Sequence, residues 1–166
     1  EMIERLSRYF DDRVISQITA GTFHSVSNSL LKSLNKGVIL KQPSELKTLL
    51  KSITDRRQFH RISDTKGYSG AYLYDIYSLF CNSCVNGEDF TGWFSLNYPD
   101  QAEFAEMYDD ILQEFEETKT QFNYADFNDL LIKMRNELKK GARIYFDEIL
   151  VDEYQDTNSL QGSLID

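Results

Sequence analysis

The 166-residue chain contains no run of about 18 apolar residues and no basic stretch leading into an apolar one. This argues against a helical membrane span and a signal peptide, and the expectation is a cytoplasmic protein with no membrane partner. Proline and glycine number two and eight, too few for a flexible tract, and neither repeats nor low-complexity segments occur. Two cysteines, Cys81 and Cys84, form a lone CxxC, with only His24 and His60 elsewhere to complete a metal site. Two reduced thiols on a helical segment is therefore the reading, in place of a zinc or redox centre. No glycine is followed by Lys and then Ser or Thr, so a loop of the type that cradles nucleotide phosphates is missing.

What is present suits a folded domain. Hydrophobic residues make up 41% and aromatic ones 13%, too rich in core-forming side chains for disorder. The net charge of −9 speaks against nucleic acid as a partner, but the average hides a segregation. Between residues 32 and 66 stand Lys32, Lys36, Lys41, Lys47, Lys51, Arg56, Arg57, Arg61 and Lys66, against Glu45, Asp55 and Asp64. From Gly67 to Thr118 there are eleven acids and no Lys or Arg. A basic face that could lie along a phosphate backbone and a separate acidic face are expected; a merely solvated surface is the alternative.

Periodicity predicts a mostly helical chain with two strands. "EMIERLSRYF" spaces Met2, Ile3, Leu6 and Phe10 helically without a cap in front, and reads as a helix entered partway along. "SQITAGTF" (16–23) is β-branched and predicts a strand. A helix follows, with Val26, Leu30, Leu31 and Leu34 on one face and Gly37 at its end. "PSELKTLLKSI" predicts a helix capped by Ser44, with Leu46, Leu49, Leu50 and Ile53 as its stripe. Turns at Gly67 and Gly70 lead to a buried helical face of Tyr72, Leu73, Ile76, Tyr77 and Phe80, and 87–99 reads as a loop. "DQAEFAEMYDDILQEFEE" carries a capping box from Asp100 to Glu103, and Phe104, Tyr108, Ile111, Leu112 and Phe115 as core. "NYADFNDLLIKMRNELKKG" predicts a helix with Asp126 as cap, Asp129 in the first turn, Lys139 and Lys140 at the far end and Gly141 closing it. Asp126 and Asp129 read as cap and packing residues, not catalysts.

The second predicted strand carries the chemistry. In "YFDEILVDEYQDTN", Ile149, Leu150 and Val151 run together, as in a strand covered on both faces of a parallel sheet, and then meet Asp152 and Glu153. At the carboxyl end of such a strand, one carboxylate can hold magnesium through its water shell and the next can orient and deprotonate a water. The pair suits hydrolysis of a nucleoside triphosphate, though an apolar run ending in Asp-Glu is a weak signal alone.

The continuation "VDEYQDTNSLQ" resembles motif II of the UvrD/Rep/PcrA group of superfamily 1 DNA helicases, with its DE(Y/F)QDTN core and following Gln161. "ITAGTFHSVSNSLL" looks like motif Ib of that family, "YADFNDLL" like the segment preceding motif II, and "EMIERL" like the helix after motif Ia. The resemblance brackets the chain, with little specificity between about Asn35 and Thr120.

It implies an α/β, mostly helical fold: a partial RecA-like P-loop NTPase domain (1A, with parallel strands) over 1–35 and 121–166, and an inserted helical domain (1B) over 36–120. It further implies an ATP-dependent helicase moving 3′ to 5′ on single-stranded DNA, with Mg2+ and ATP as cofactors. By resemblance, Asp152 binds the magnesium, Glu153 is the general base, and Gln155 and Asp156 link the nucleotide and DNA sites. Thr22, Phe23, His24 and Ser25 would lie along the single strand, where hydroxyl and imidazole suit phosphate and the ring suits a base. For His24 a capping or core role is the alternative. Arg56, Arg57 and Arg61 are the candidates for further DNA contact. Without a P-loop or second motor domain, these 166 residues are expected not to hydrolyse ATP or hold a nucleotide tightly alone, and to associate through exposed sheet edges. Two rivals stand beside this reading: an AddA-like or RecB-like helicase-nuclease, and a helical module that binds duplex DNA or protein, with Asp152 and Glu153 inert.

Overall fold

The structure, a computed structural model, describes residues 2–57, 69–83 and 89–165. His60, Arg61, Lys66, Gly67, Cys84 and Gly87 lie outside the described residues. The chain forms two compact units, Glu1–Gly37 and Val38–Asp166.

In the first unit, α1 (Met2–Leu6) is shorter than its apolar spacing predicted, and α2 (Asp12–Ile15) begins where the Asp11 carboxylate accepts the Val14 amide at 3.0 Å. The strand predicted over 16–23 does not form: Ser16 ends α2 and Thr22 caps α3 (Phe23–Ser33). β-branched content supplies no partner strand, whereas the Thr22 hydroxyl finds the Ser25 amide at 3.2 Å and commits the chain to helix.

The second unit is built from α4 (Pro43–Arg56), α5 (Gly70–Ser83), α6 (Phe90–Asn97), α7 (Ala105–Phe122), α8 (Phe127–Lys139) and α9 (Ser159–Gly162). The helix at 90–97 occupies the predicted loop; Asp89 caps it by accepting the Gly92 amide at 2.5 Å. A 3-10 turn, Pro99–Phe104, replaces the predicted capping box ahead of α7. Proline at N1 starts α4, so Ser44 sits inside the first turn and Glu45 accepts the Gln42 amide at 2.9 Å instead. The α8 ends match their signals: Asp126 and Asp129 cap each other's amides at 2.8 Å, and Gly141 turns away at φ 84°.

Apolar stripes from four helices close the core: Leu46, Leu50 and Ile53 (α4), Leu73, Ile76 and Tyr77 (α5), Phe94 (α6), and Tyr108, Ile111 and Phe115 (α7). Phe94 meets Tyr108 edge to face at 5.1 Å, and Phe115 meets Tyr77 likewise at 5.7 Å. Each such side chain contributes about 1.5–3 kcal/mol on burial. Gly70 lets α5 start against α4, since a Cβ there would come within 2.5 Å of the Lys51 backbone.

The fold is mostly helical with one small parallel sheet, and neither strand was the expected one. β1 (Ile39–Leu40) pairs with β2 (Tyr124–Ala125), Ile39 opposite Tyr124 and Leu40 opposite Ala125. Asn123, at φ 54°, reverses the chain out of α7 into β2. The predicted buried strand through Ile149–Val151 is irregular, with Ile149 55% and Leu150 91% exposed. A strand exists only by pairing, and among the described residues no strand pairs with 149–151.

Candidate functional site

Asp152 to Thr157 form a tight exposed loop. The Asp152 carboxylate accepts the Glu153 amide at 3.0 Å, which supports Glu153 in the left-handed region at φ 50° and ψ 43°. A 3-10 turn follows, with the Asp156 amide on the Glu153 carbonyl at 2.9 Å and the Thr157 hydroxyl on the Tyr154 carbonyl at 2.7 Å. The Gln155 side-chain amide donates to the Glu153 carboxylate. Asp152, Glu153, Gln155 and Asp156 are thus gathered in one turn, and all four are exposed. A non-glycine residue in the left-handed region stores roughly 1 kcal/mol, held here by the bonds on either side.

The loop runs directly into a capped helix. Asn158 accepts the Gln161 amide at 2.8 Å, and the Gln161 side chain accepts the Asn158 amide at 3.1 Å. Leu160 is fully buried, and α9 packs on α5 and α8. The Asn158 side-chain amide also donates to Asn82 Oδ1 at the end of α5, 2.8 Å away. This tie between residues 76 apart left no mark in the sequence beyond the Asn158 to Gln161 capping spacing.

Residues 22–25 form the amino end of α3. Thr22 caps it, and Ser25 Oγ donates back to the Thr22 carbonyl at 3.0 Å. Phe23 and His24 are half-buried and Ser25 is exposed. Burial holds the His24 imidazole below its usual value of 6.5.

Arg56 and Arg57, at the end of α4, both reach Glu114 on α7; the Arg57 Nε lies 2.6 Å from Glu114 Oε2. Lys47 lies 2.7 Å from Asp75 on α5. The charge segregation read from the sequence is therefore partly neutralised inside the unit, where basic residues of α4 pair with Asp75 of α5 and Glu114 of α7. Arg61 lies outside the described residues.

A buried ionic cluster escaped the sequence reading. Lys119, on α7, is 2% exposed and contacts Asp129 at 2.8 Å, Glu116 at 2.6 Å and the Tyr77 hydroxyl at 3.2 Å. Burial pulls its ammonium down, but Asp129 and Glu116 outweigh this and hold it above 10.5. Asp126, whose carboxylate accepts the Tyr74 hydroxyl at 3.1 Å, is pushed up from 3.8 by burial and then by Asp129. Cys81 is buried and its thiol is pushed up to about 12 by that burial, which keeps it protonated and disfavours metal binding.

These sites lie in a sequence with recognisable relatives. The profile of the UvrD/REP helicase N-terminal domain matches residues 1–166. The chain belongs to that family. Within the UvrD/REP group it is 26% identical over 178 aligned residues to ATP-dependent DNA helicase UvrD1 of Mycobacterium leprae, covering 99% of this chain and 22% of that protein. It is 29% identical over 155 residues to an ATP-dependent helicase/nuclease subunit of Clostridium beijerinckii, covering 85% of this chain and 11% of that protein. A probable DNA helicase II homolog of Mycoplasma capricolum is 43% identical over 61 residues, 33% of this chain and 8% of that protein. The UvrD/REP domain thus spans about a fifth or less of these relatives. No solved structure matches it.

Among the described residues no three His, Cys, Asp or Glu side chains gather to hold a metal ion. The exposed Asp152 carboxylate is a hard oxygen donor of the kind magnesium accepts. No helix among the described residues is long and apolar enough to cross a membrane.

Proposed function

We propose that the chain is part of the motor of an ATP-dependent DNA helicase that moves 3′ to 5′ along single-stranded DNA, and that Asp152 and Glu153 serve the nucleotide. The end-to-end family match is the observation that carries this reading, and the exposed loop at 152–156 supports it. In this reading residues 1–35 and 121–166 belong to the RecA-like domain 1A and 36–120 to the insertion 1B. Asp152 would hold hydrated magnesium, which when bound would supply charge neutralisation at the phosphates. Glu153 accepts the proton of the attacking water, and Gln155, bonded to its carboxylate, fixes its orientation. Gln155 and Asp156 relay the state of this loop toward DNA. Thr22, Phe23, His24 and Ser25 contact the single strand, and Arg56, Arg57 and Arg61 contact phosphates. In this reading the protein acts on DNA in the cytoplasm, associated with the nucleoid. Lacking a glycine-lysine phosphate loop, these 166 residues are inactive alone.

The match to the helicase/nuclease protein supports a second version, in which the same motor drives a nuclease carried elsewhere in the protein. Steady-state kinetics of the full-length protein test both. Single-stranded DNA should stimulate ATP hydrolysis, and Glu153→Gln should lower kcat by at least about 100-fold with little change in KM. Absence of DNA-stimulated turnover would overturn the reading. Degradation of DNA ends during turnover would select the helicase-nuclease version, and turnover by residues 1–166 alone would refute their inactivity.

A further inference from the structure

We propose that Asn82, on α5, is a positioning residue that holds the acidic loop in its working place through Asn158. This rests on the motor reading above and names a part of the device which that reading does not contain.

Among the described residues, every hydrogen bond made by 144–157 is local, closing within three positions along the chain. The polar contacts of this loop, among the described residues, brace it only against itself. Its first long-range bond comes at Asn158, two residues after Asp156, where Nδ2 donates to Asn82 Oδ1 at 2.8 Å. Leu160, buried completely, supplies the apolar part of the same anchor.

Asn82 is itself held. Its own Nδ2 donates to the Ser78 carbonyl one turn back at 2.8 Å, so the carbonyl oxygen of the side chain is presented to Asn158 in one orientation. Ser78 Oγ in turn accepts the Asn128 side-chain amide at 3.1 Å, joining α5 to α8. Asn158 uses its oxygen to cap α9 and its amide to reach Asn82, so one side chain both starts the helix and fastens it. A stiff turn carrying carboxylates, attached at one end to a packed helix, is aimed by that attachment. Reaction geometry is sensitive to displacements of about 1 Å, so loosening the attachment acts on turnover while leaving the donors present.

The experiment uses the full-length protein with Asn82→Ala, Asn82→Asp and Asn158→Ala. Asn82→Ala should lower kcat for DNA-stimulated ATP hydrolysis by about 5- to 10-fold with KM for ATP within about twofold, as expected when geometry and not binding is impaired. Asn82→Asp keeps an acceptor for Asn158 but loses the donor to the Ser78 carbonyl, so it should recover part of the loss and turn over faster than Asn82→Ala. The double alanine variant should be no slower than the worse single one, because the two side chains act as one contact. Amide hydrogen exchange supplies a readout independent of turnover: Asn82→Ala should speed exchange at 153–162 by about 10-fold while Ile111 and Leu112 keep their protection. Equal acceleration at Ile111 and Leu112 would mean general destabilisation and would overturn the proposal. Unchanged exchange at 153–162 would also overturn it, as would an active wild type with an unaffected Asn82→Ala. A wild-type protein without DNA-stimulated turnover would sink the motor reading instead, and exchange alone would then decide whether Asn82 fastens the loop.

Discussion

Lys119 and Asp129 form a buried ion pair at 2.8 Å, with the lysine 2% exposed and its ammonium over the ring faces of Tyr77 and Phe115, 5.0 and 4.9 Å from their centroids. The pair joins α7 to α8, and through the Asp129 contact with the Asp126 amide it also fixes the start of α8. Replacing Lys119 by Met keeps the volume but leaves Asp129 and Glu116 facing a hydroxyl and aromatic rings without a cation. The expected loss is about 3–5 kcal/mol, the usual result of stranding one half of a buried pair. Urea unfolding of the chain measures it, and a loss below about 1 kcal/mol would show that water reaches the site.

Asp126 makes the opposite prediction. Burial, and then the Asp129 charge, raise its native value above 3.8, so the folded state favours the protonated form. Its stabilising contribution is complete below 3.8 and is lost as pH rises through the raised native value. Asparagine caps a helix as well as aspartate does and carries no charge. Asp126→Asn should therefore match the wild type at low pH and exceed it at pH 7, the gap opening as Asp126 ionises. Urea midpoints across pH 3–8 check this, and a variant weaker than wild type at pH 7 would contradict it.

How far these features could be read in advance depended on the range of the forces that make them. The α8 caps, the α3, α4, α5 and α7 stripes and the Gly141 stop are local and were legible. Strands were not, because strand formation depends on a partner: 16–23 and 149–151 have strand-like composition and no partner strand among the described residues, while Ile39–Leu40 and Tyr124–Ala125 carry weak signals and find each other. The acidic turn was legible as a motif and misread as the end of a buried strand. Asn82 and Glu114 matter through partners distant in the chain, and the burial of Lys119 comes from Tyr77 and Asp129 on other helices, which no spacing rule reaches.

The exposed apolar run makes a prediction about association. Tyr145, Ile149 and Leu150 are 84%, 55% and 91% exposed, a surface with β-forming side chains and unpaired backbone. Residues 1–166 alone should self-associate through it at micromolar concentration. Ile149→Thr with Leu150→Lys should shift the sedimentation profile toward monomer without changing the stability to urea by more than about 0.5 kcal/mol, as for surface changes generally. A wild-type chain that sediments only as monomer would contradict this.

The arginines at the end of α4 decide between an internal and an external use of the basic segment. Arg56 and Arg57 share one carboxylate, Glu114, and stay exposed by 65% and 39%, so the pairing is worth no more than about 1 kcal/mol. Such a weak clasp can open to a phosphate. If it does, Glu114→Gln removes the competitor, and affinity for DNA should rise. Arg56→Gln with Arg57→Gln should weaken binding of every sequence alike and lower the slope of log affinity against log salt by about 1.8, or about 0.9 for each phosphate no longer neutralised. Filter binding of duplex and single-stranded DNA at low and at physiological salt measures both variants. Opposite signs for Glu114→Gln and the double arginine variant would place DNA on this face. Unchanged affinity in both would mean that the guanidinium groups serve only to tie α4 to α7.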